Sequence, residues 1–123
     1  MNGVVRNQWV ASSVENDASV KILAVGSLEE WSQQGFSTPG SRGVIYLEFH
    51  QVTEEVIREM SPGVVMSPVL ARDFDCIELA IQLHNLGFDG SYRAVGKGLP
   101  KPRLIEREVA QMCPRLNFEI LVH

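Results

Sequence analysis

Apolar positions along the chain fall into five short, nearly continuous runs separated by stretches in which they recur every three or four residues. Residues 20–25 read Val-Lys-Ile-Leu-Ala-Val before Gly26, the pattern of a strand covered on both faces. Residues 44–49 (Val-Ile-Tyr-Leu-Glu-Phe) predict a second strand, 64–66 a third ended by Ser67-Pro68, 92–95 a fourth and 118–122 a fifth. Between them lie helix signals. Ser27-Leu-Glu-Glu30 has capping-box spacing and predicts a short helix to about residue 34. Thr53 is placed to cap a second helix, with Glu54 and Glu55 in its first turn, Val52 stapled onto Ile57, and a stop before Pro62. Asp73 or Asp75 caps a third, the latter forming a box with Glu78. There Asp75, Glu78, Gln82 and Asn85 make a narrow solvated stripe among Ile77, Leu79, Ala80, Ile81, Leu83 and Leu86, and Gly87 closes the helix. Pro100 and Pro102 introduce a fourth, with Leu104, Ile105, Val109 and Met112 as its apolar face, ended by Pro114. Residues 35–43, with three Gly and a Pro, predict a loop, and 1–19 an irregular, mostly polar arm around Val4, Val5, Trp9 and Val10.

Strand and helix thus alternate strictly over one domain, 20–123, preceded by the arm. Such alternation predicts an α/β fold: a doubly wound, five-stranded parallel sheet in three layers, order 2-1-3-4-5, with the third strand central. Binding is then expected at the carboxyl ends of the strands, where the winding direction reverses. With 123 residues, 45% hydrophobic and 21% charged, the chain can bury one ordinary core. Eleven basic against fifteen acidic residues argue against a general nucleic-acid binder. Cys76 and Cys113 lack neighbours at metal-ligand spacing, so neither a metal site nor a disulfide framework is expected, and both read as buried thiols. No signal-peptide core or membrane-length apolar run occurs, which points to a reducing cytoplasm and no membrane partner.

Over about residues 20–123 the chain resembles the receiver domains of the two-component response-regulator family. The resemblance lies in a helix ending in Ser61-Pro62-Gly63, the strand Val64-Val65-Met66, and a helix running into Leu86-Gly87-Phe88-Asp89-Gly90 before the fourth strand. It implies a flavodoxin-like, receiver-like fold. In that family an aspartate ending the third strand accepts phosphate and acidic residues after the first strand hold magnesium. A hydroxyl residue ending the fourth strand and a lysine ending the fifth complete the site. Here the corresponding positions hold Ser67-Pro68, Gly26-Ser27, Gly96-Lys97 and no lysine, so none of the phosphotransfer residues carries over.

Three groups remain as ligand-site candidates. Lys97, Lys101 and Arg103, with Arg107 one turn on, surround a turn entering a helix and can hold an anion, or are solvated charges partly paired with Glu106 or Glu108. Ser27 after Gly26 has too few glycines for a dinucleotide loop and is explained by capping. Ser67, Arg72, Asp73 and Asp75 follow the third strand. The aspartates can bind metal or act as acid and base, but capping accounts for them, and Ser67 lacks a Gly-x-Ser-x-Gly elbow even with His50 as a possible base. His84 reads as a packed histidine, and Trp31, Phe36 and Phe74 as core or as a partner patch. The expectation is a non-catalytic regulatory or protein-interaction module, without cofactor and not phosphorylated on aspartate, that binds a protein partner or itself. The alternative is a binding protein or enzyme that takes a small molecule or phosphate ligand at the strand ends near Ser27, Ser67, Arg72 and Lys97.

Overall fold

A computed structural model describes residues 21–33 and 44–123. The predicted arm over 1–19 and the predicted loop over 35–43, with Phe36, lie outside those residues. The strands are β1 (Ile22–Val25), β2 (Val44–Leu47), β3 (Val64–Pro68), β4 (Ser91–Gly96) and β5 (Asn117–Val122). The described helices are α1 (Leu28–Gln33), α2 (Glu54–Met60), α3 (Cys76–Asn85) and α4 (Pro102–Met112), with a 3-10 turn at Phe49–Gln51. All pairings are parallel and the order is β2-β1-β3-β4-β5, the flavodoxin-like arrangement the alternation predicts.

Side-chain alternation divides the core by sheet face. Leu23, Val25, Val65, Tyr92, Ala94 and Ile120 point to one face and pack with Ile57 of α2, Leu79, Ala80 and Leu83 of α3, and Val109 of α4. On the other face Ile22, Ala24, Met66 and Val95 cluster with Trp31 of α1. Towards β5 that second face turns polar: Arg93 lies 3.5 Å from Glu119 and donates to the Asn117 backbone and side-chain oxygens. At the amino-terminal ends of β3 and β4, Gly90 meets the chain before β3, where a Cβ would lie 2.7 Å from Phe88 Cζ and 2.9 Å from the Gly63 carbonyl. A side chain there would force the backbones apart.

Several boundaries differ from the pattern, each for a visible reason. β2 ends at Leu47 because Glu48 leaves the ladder, its N–H donating to Gln51 Oε1, and Phe49 turns inward as the 3-10 segment begins. β3 continues through Ser67 and Pro68. The pairing with β1 stops at Ala24↔Met66, so Pro68 lies beyond it, paired only with Val95 of β4. Ile81 is not buried but 37% exposed, on the same face of α3 as Glu78 and Asn85; Gln82 turns inward instead, donating to the Val52 carbonyl. On α4 the core-facing line runs from half-buried Ile105 through buried Val109 to the C-cap residue Cys113, at i, i+4, i+8. That leaves Leu104 (52%) and Met112 (41%), both expected in the apolar face, at its rim.

Candidate functional site

The direction of winding reverses between β1 and β3, so the carboxyl ends of these two strands flank the place where a ligand crevice is expected. β1 leaves the sheet through Gly26, whose φ of +125° a side chain would strain and whose N–H donates to the Leu47 carbonyl. Ser27 and Glu30 then form the capping box: the Glu30 N–H donates to Ser27 Oγ (3.1 Å) and the Ser27 N–H to Glu30 Oε1 (3.0 Å). The second carboxylate oxygen of Glu30 reaches across the sequence and accepts the backbone N–H of Arg72. The Arg72 guanidinium lies 3.5 Å from Glu29.

Arg72 sits in a tight excursion between β3 and α3. Leu70 and Asp75 form an antiparallel bridge, the Ala71 N–H donates to the Phe74 carbonyl, and the Cys76 N–H donates to the Val69 carbonyl. Phe74 is buried and stacks on Phe49 with ring centroids 5.0 Å apart. The excursion is therefore a strap fastened on both sides, to the 3-10 turn through Phe74 and to α1 through Arg72. Pro68 lies over Gly26, and the buried Trp31 indole N–H, which has no hydrogen-bond partner among the described residues, is close to the same glycine. Burial alone would raise the Glu30 pKa. The backbone N–H groups of Ser27 and Arg72, the Ser27 hydroxyl and the Arg72 charge outweigh it, so the carboxylate titrates below its usual range.

Ser67 is fully buried beneath the strap, on the face covered by α3. Its hydroxyl donates to the Pro68 carbonyl (2.8 Å) and lies 2.6 Å from the Tyr92 hydroxyl, the geometry of a chain running from Tyr92 through Ser67 to that carbonyl. Burial pushes the Tyr92 phenol well above its ordinary value. It also carries the Cys76 thiol up to about 12, helped by the neighbouring Asp75 charge, so the thiolate needed for nucleophilic attack is not formed near neutrality. Asp75 caps α3 and exchanges hydrogen bonds with Glu78, while Asp73 is exposed at the tip of the strap. No group of three His, Cys, Asp or Glu that could hold a metal ion occurs among the described residues.

The basic candidates stand apart. Lys97 and Lys101 are exposed, and Lys101 adopts a left-handed conformation (φ +51°) ahead of Pro102, the first residue of α4. Arg103 is bound to Glu106 at 2.7 Å, and the other Glu106 oxygen accepts the Ile120 N–H of β5 at 2.8 Å. Of the sequence candidates, then, Ser27 and Arg72 are joined through Glu30, with Asp73 beside them. Ser67 is sealed below, and Arg103 is turned towards the last strand.

Glu30 and Phe74 organise this end of the sheet, yet the sequence marks Glu30 only as a capping partner and Phe74 only as core or patch. Trp31 and Phe74 prove to be core. No protein-family model matches the chain, and no curated protein is significantly similar to it in sequence.

Proposed function

We propose that the chain is a non-catalytic regulatory or protein-interaction module built on a receiver-like variant of the flavodoxin-like fold and not phosphorylated on aspartate. The observation that carries this reading is the strap. At the β1/β3 strand ends, where this architecture would receive a ligand, the chain's own Arg72 backbone occupies the free oxygen of Glu30, and Pro68 lies against Gly26. The groups that remain there are committed: Ser67 to Pro68 and Tyr92, Asp75 to the α3 cap. The same end also offers apolar side chains to solvent, Leu28 at 58% and Leu70 at 69% exposure. Exposed leucines beside a closed crevice support contact with another macromolecule over turnover of a small one.

Acetyl phosphate or beryllofluoride with magnesium should leave the protein unlabelled and its spectra unchanged. Nucleotides and small phosphates should produce no melting shift, because a ligand that prefers the folded state must stabilise it by mass action. Stoichiometric labelling at Asp73 or Asp75, or a saturable shift well below about 1 mM ligand, would overturn the reading in favour of a phosphorelay or ligand-binding role.

A further inference from the structure

The geometry points to the occupant of this surface: a cationic, amphipathic segment of another protein. The inference rests on the interaction-module reading and adds the chemistry of the partner. Leu28 opens α1 next to Glu29, and Leu70 lies in the strap, bridged to Asp75 and two residues before Arg72. The Arg72–Glu30 bond holds these two segments together, so both leucines belong to one end of the sheet. Among the described residues the exposed charges on these two segments and the first turn of α3 are mainly carboxylates, Glu29, Asp73 and Glu78, with Arg72 as the one cation there, already beside Glu29; the exposed Lys97 follows Gly96, which lies against Val69 at the end of β4.

Two protruding leucines among acidic side chains complement a segment that presents an apolar residue between lysines or arginines. A second copy of the chain fits less well, because a two-fold axis through this patch would bring carboxylates against carboxylates. The exposed pair Leu104 and Met112 on α4 offers no such selection, since its neighbours carry both signs (Arg107 and Glu108).

The test uses the full chain and a synthetic amphipathic peptide of alternating leucine and lysine, with the same peptide carrying glutamate for lysine as its control. Titration calorimetry should show saturable binding of the lysine peptide, weakened by salt, and none of the glutamate peptide. Leu70→Ser and Asp73→Lys should each weaken it roughly tenfold, as expected for centrally placed contacts. Asp89→Lys makes the same charge change at the opposite end of the sheet and should weaken it by less than roughly twofold, the residue of long-range attraction. All three positions are exposed, so unchanged melting temperatures establish that the variants are folded.

Failure of the lysine peptide to bind, equal weakening by Asp89→Lys and Asp73→Lys, or a dimer of the protein alone that Leu70→Ser dissociates would each overturn the inference. None of those results involves phosphate labelling or a small-ligand melting shift, so the interaction-module reading fails or stands separately.

Discussion

Two glutamates perform the same double task on opposite sides of the sheet, with different consequences. Glu30 uses one oxygen for Ser27, three residues away, and the other for the Arg72 backbone, forty-two residues away. Glu106 uses one oxygen for Arg103, three residues away, and the other for the Ile120 backbone, fourteen away. At Ile120 the carboxylate satisfies an N–H on the outer strand β5, which blunts an edge otherwise open to further pairing. At Arg72 it fastens a connection over the strand ends where a crevice would form. One glutamate covers an edge; the other fastens a connection across the strand ends.

The largest effect that separates the two regions should come from the strap's apolar anchor. Phe74→Ala removes a buried ring stacked on Phe49 and is expected to cost about 3–5 kcal/mol in urea unfolding, the range for large core truncations. A cost below about 1 kcal/mol would mean that the strap is not anchored there.

Beneath the strap the hydrogen-bonded chain gives an asymmetry. Ser67→Ala leaves the buried Tyr92 hydroxyl without its partner and should cost about 1–3 kcal/mol. Tyr92→Phe leaves the Ser67 hydroxyl still donating to Pro68 and should cost about 1 kcal/mol. The reverse order in thermal or urea unfolding would contradict the assigned direction of donation.

Glu30→Gln and Glu106→Gln should each cost about 1 kcal/mol at neutral pH, because an amide accepts through only one of its two ends. For Glu30 the difference should also depend on pH. Its folded pKa lies below the ordinary 4.5, so the stabilisation is complete above that value and disappears as pH falls through the lower, folded one. Unfolding curves of wild type and Glu30→Gln should therefore converge in acid. The smallest effect is assigned to Arg72→Gln, which keeps the backbone N–H and loses only an exposed ion pair with Glu29. It should change stability by less than about 0.5 kcal/mol and only at low salt.

What the sequence discloses and what it hides divide along the same line. Interactions within three or four residues leave a spacing that can be read directly: Ser27 with Glu30, Thr53 with Val56, Asp75 with Glu78, Arg103 with Glu106. Continuous apolar runs disclose the parallel sheet, and alternation of elements restricts its order. The second oxygen of Glu30 or Glu106 leaves no such trace, because its partner is a backbone N–H, which every residue but proline carries. The same holds for Gln82, which interrupts the polar stripe of α3 to reach the Val52 carbonyl, so that Ile81 takes the solvated position. Leu104 and Met112 fit an apolar face by composition, but the eleven residues of α4 admit two overlapping stripes, and the one through Val109 is centred on the sheet.

The closed strand ends are tested most directly by amide hydrogen exchange at Arg72, followed by NMR. The Glu30 carboxylate should slow exchange of the Arg72 N–H well below the rate of an unstructured peptide, and Glu30→Gln should accelerate it while leaving Ile120 protected. An Arg72 amide that exchanges at the unstructured rate in the wild-type protein, or one that Glu30→Gln leaves unchanged, would contradict a strap held shut by Glu30.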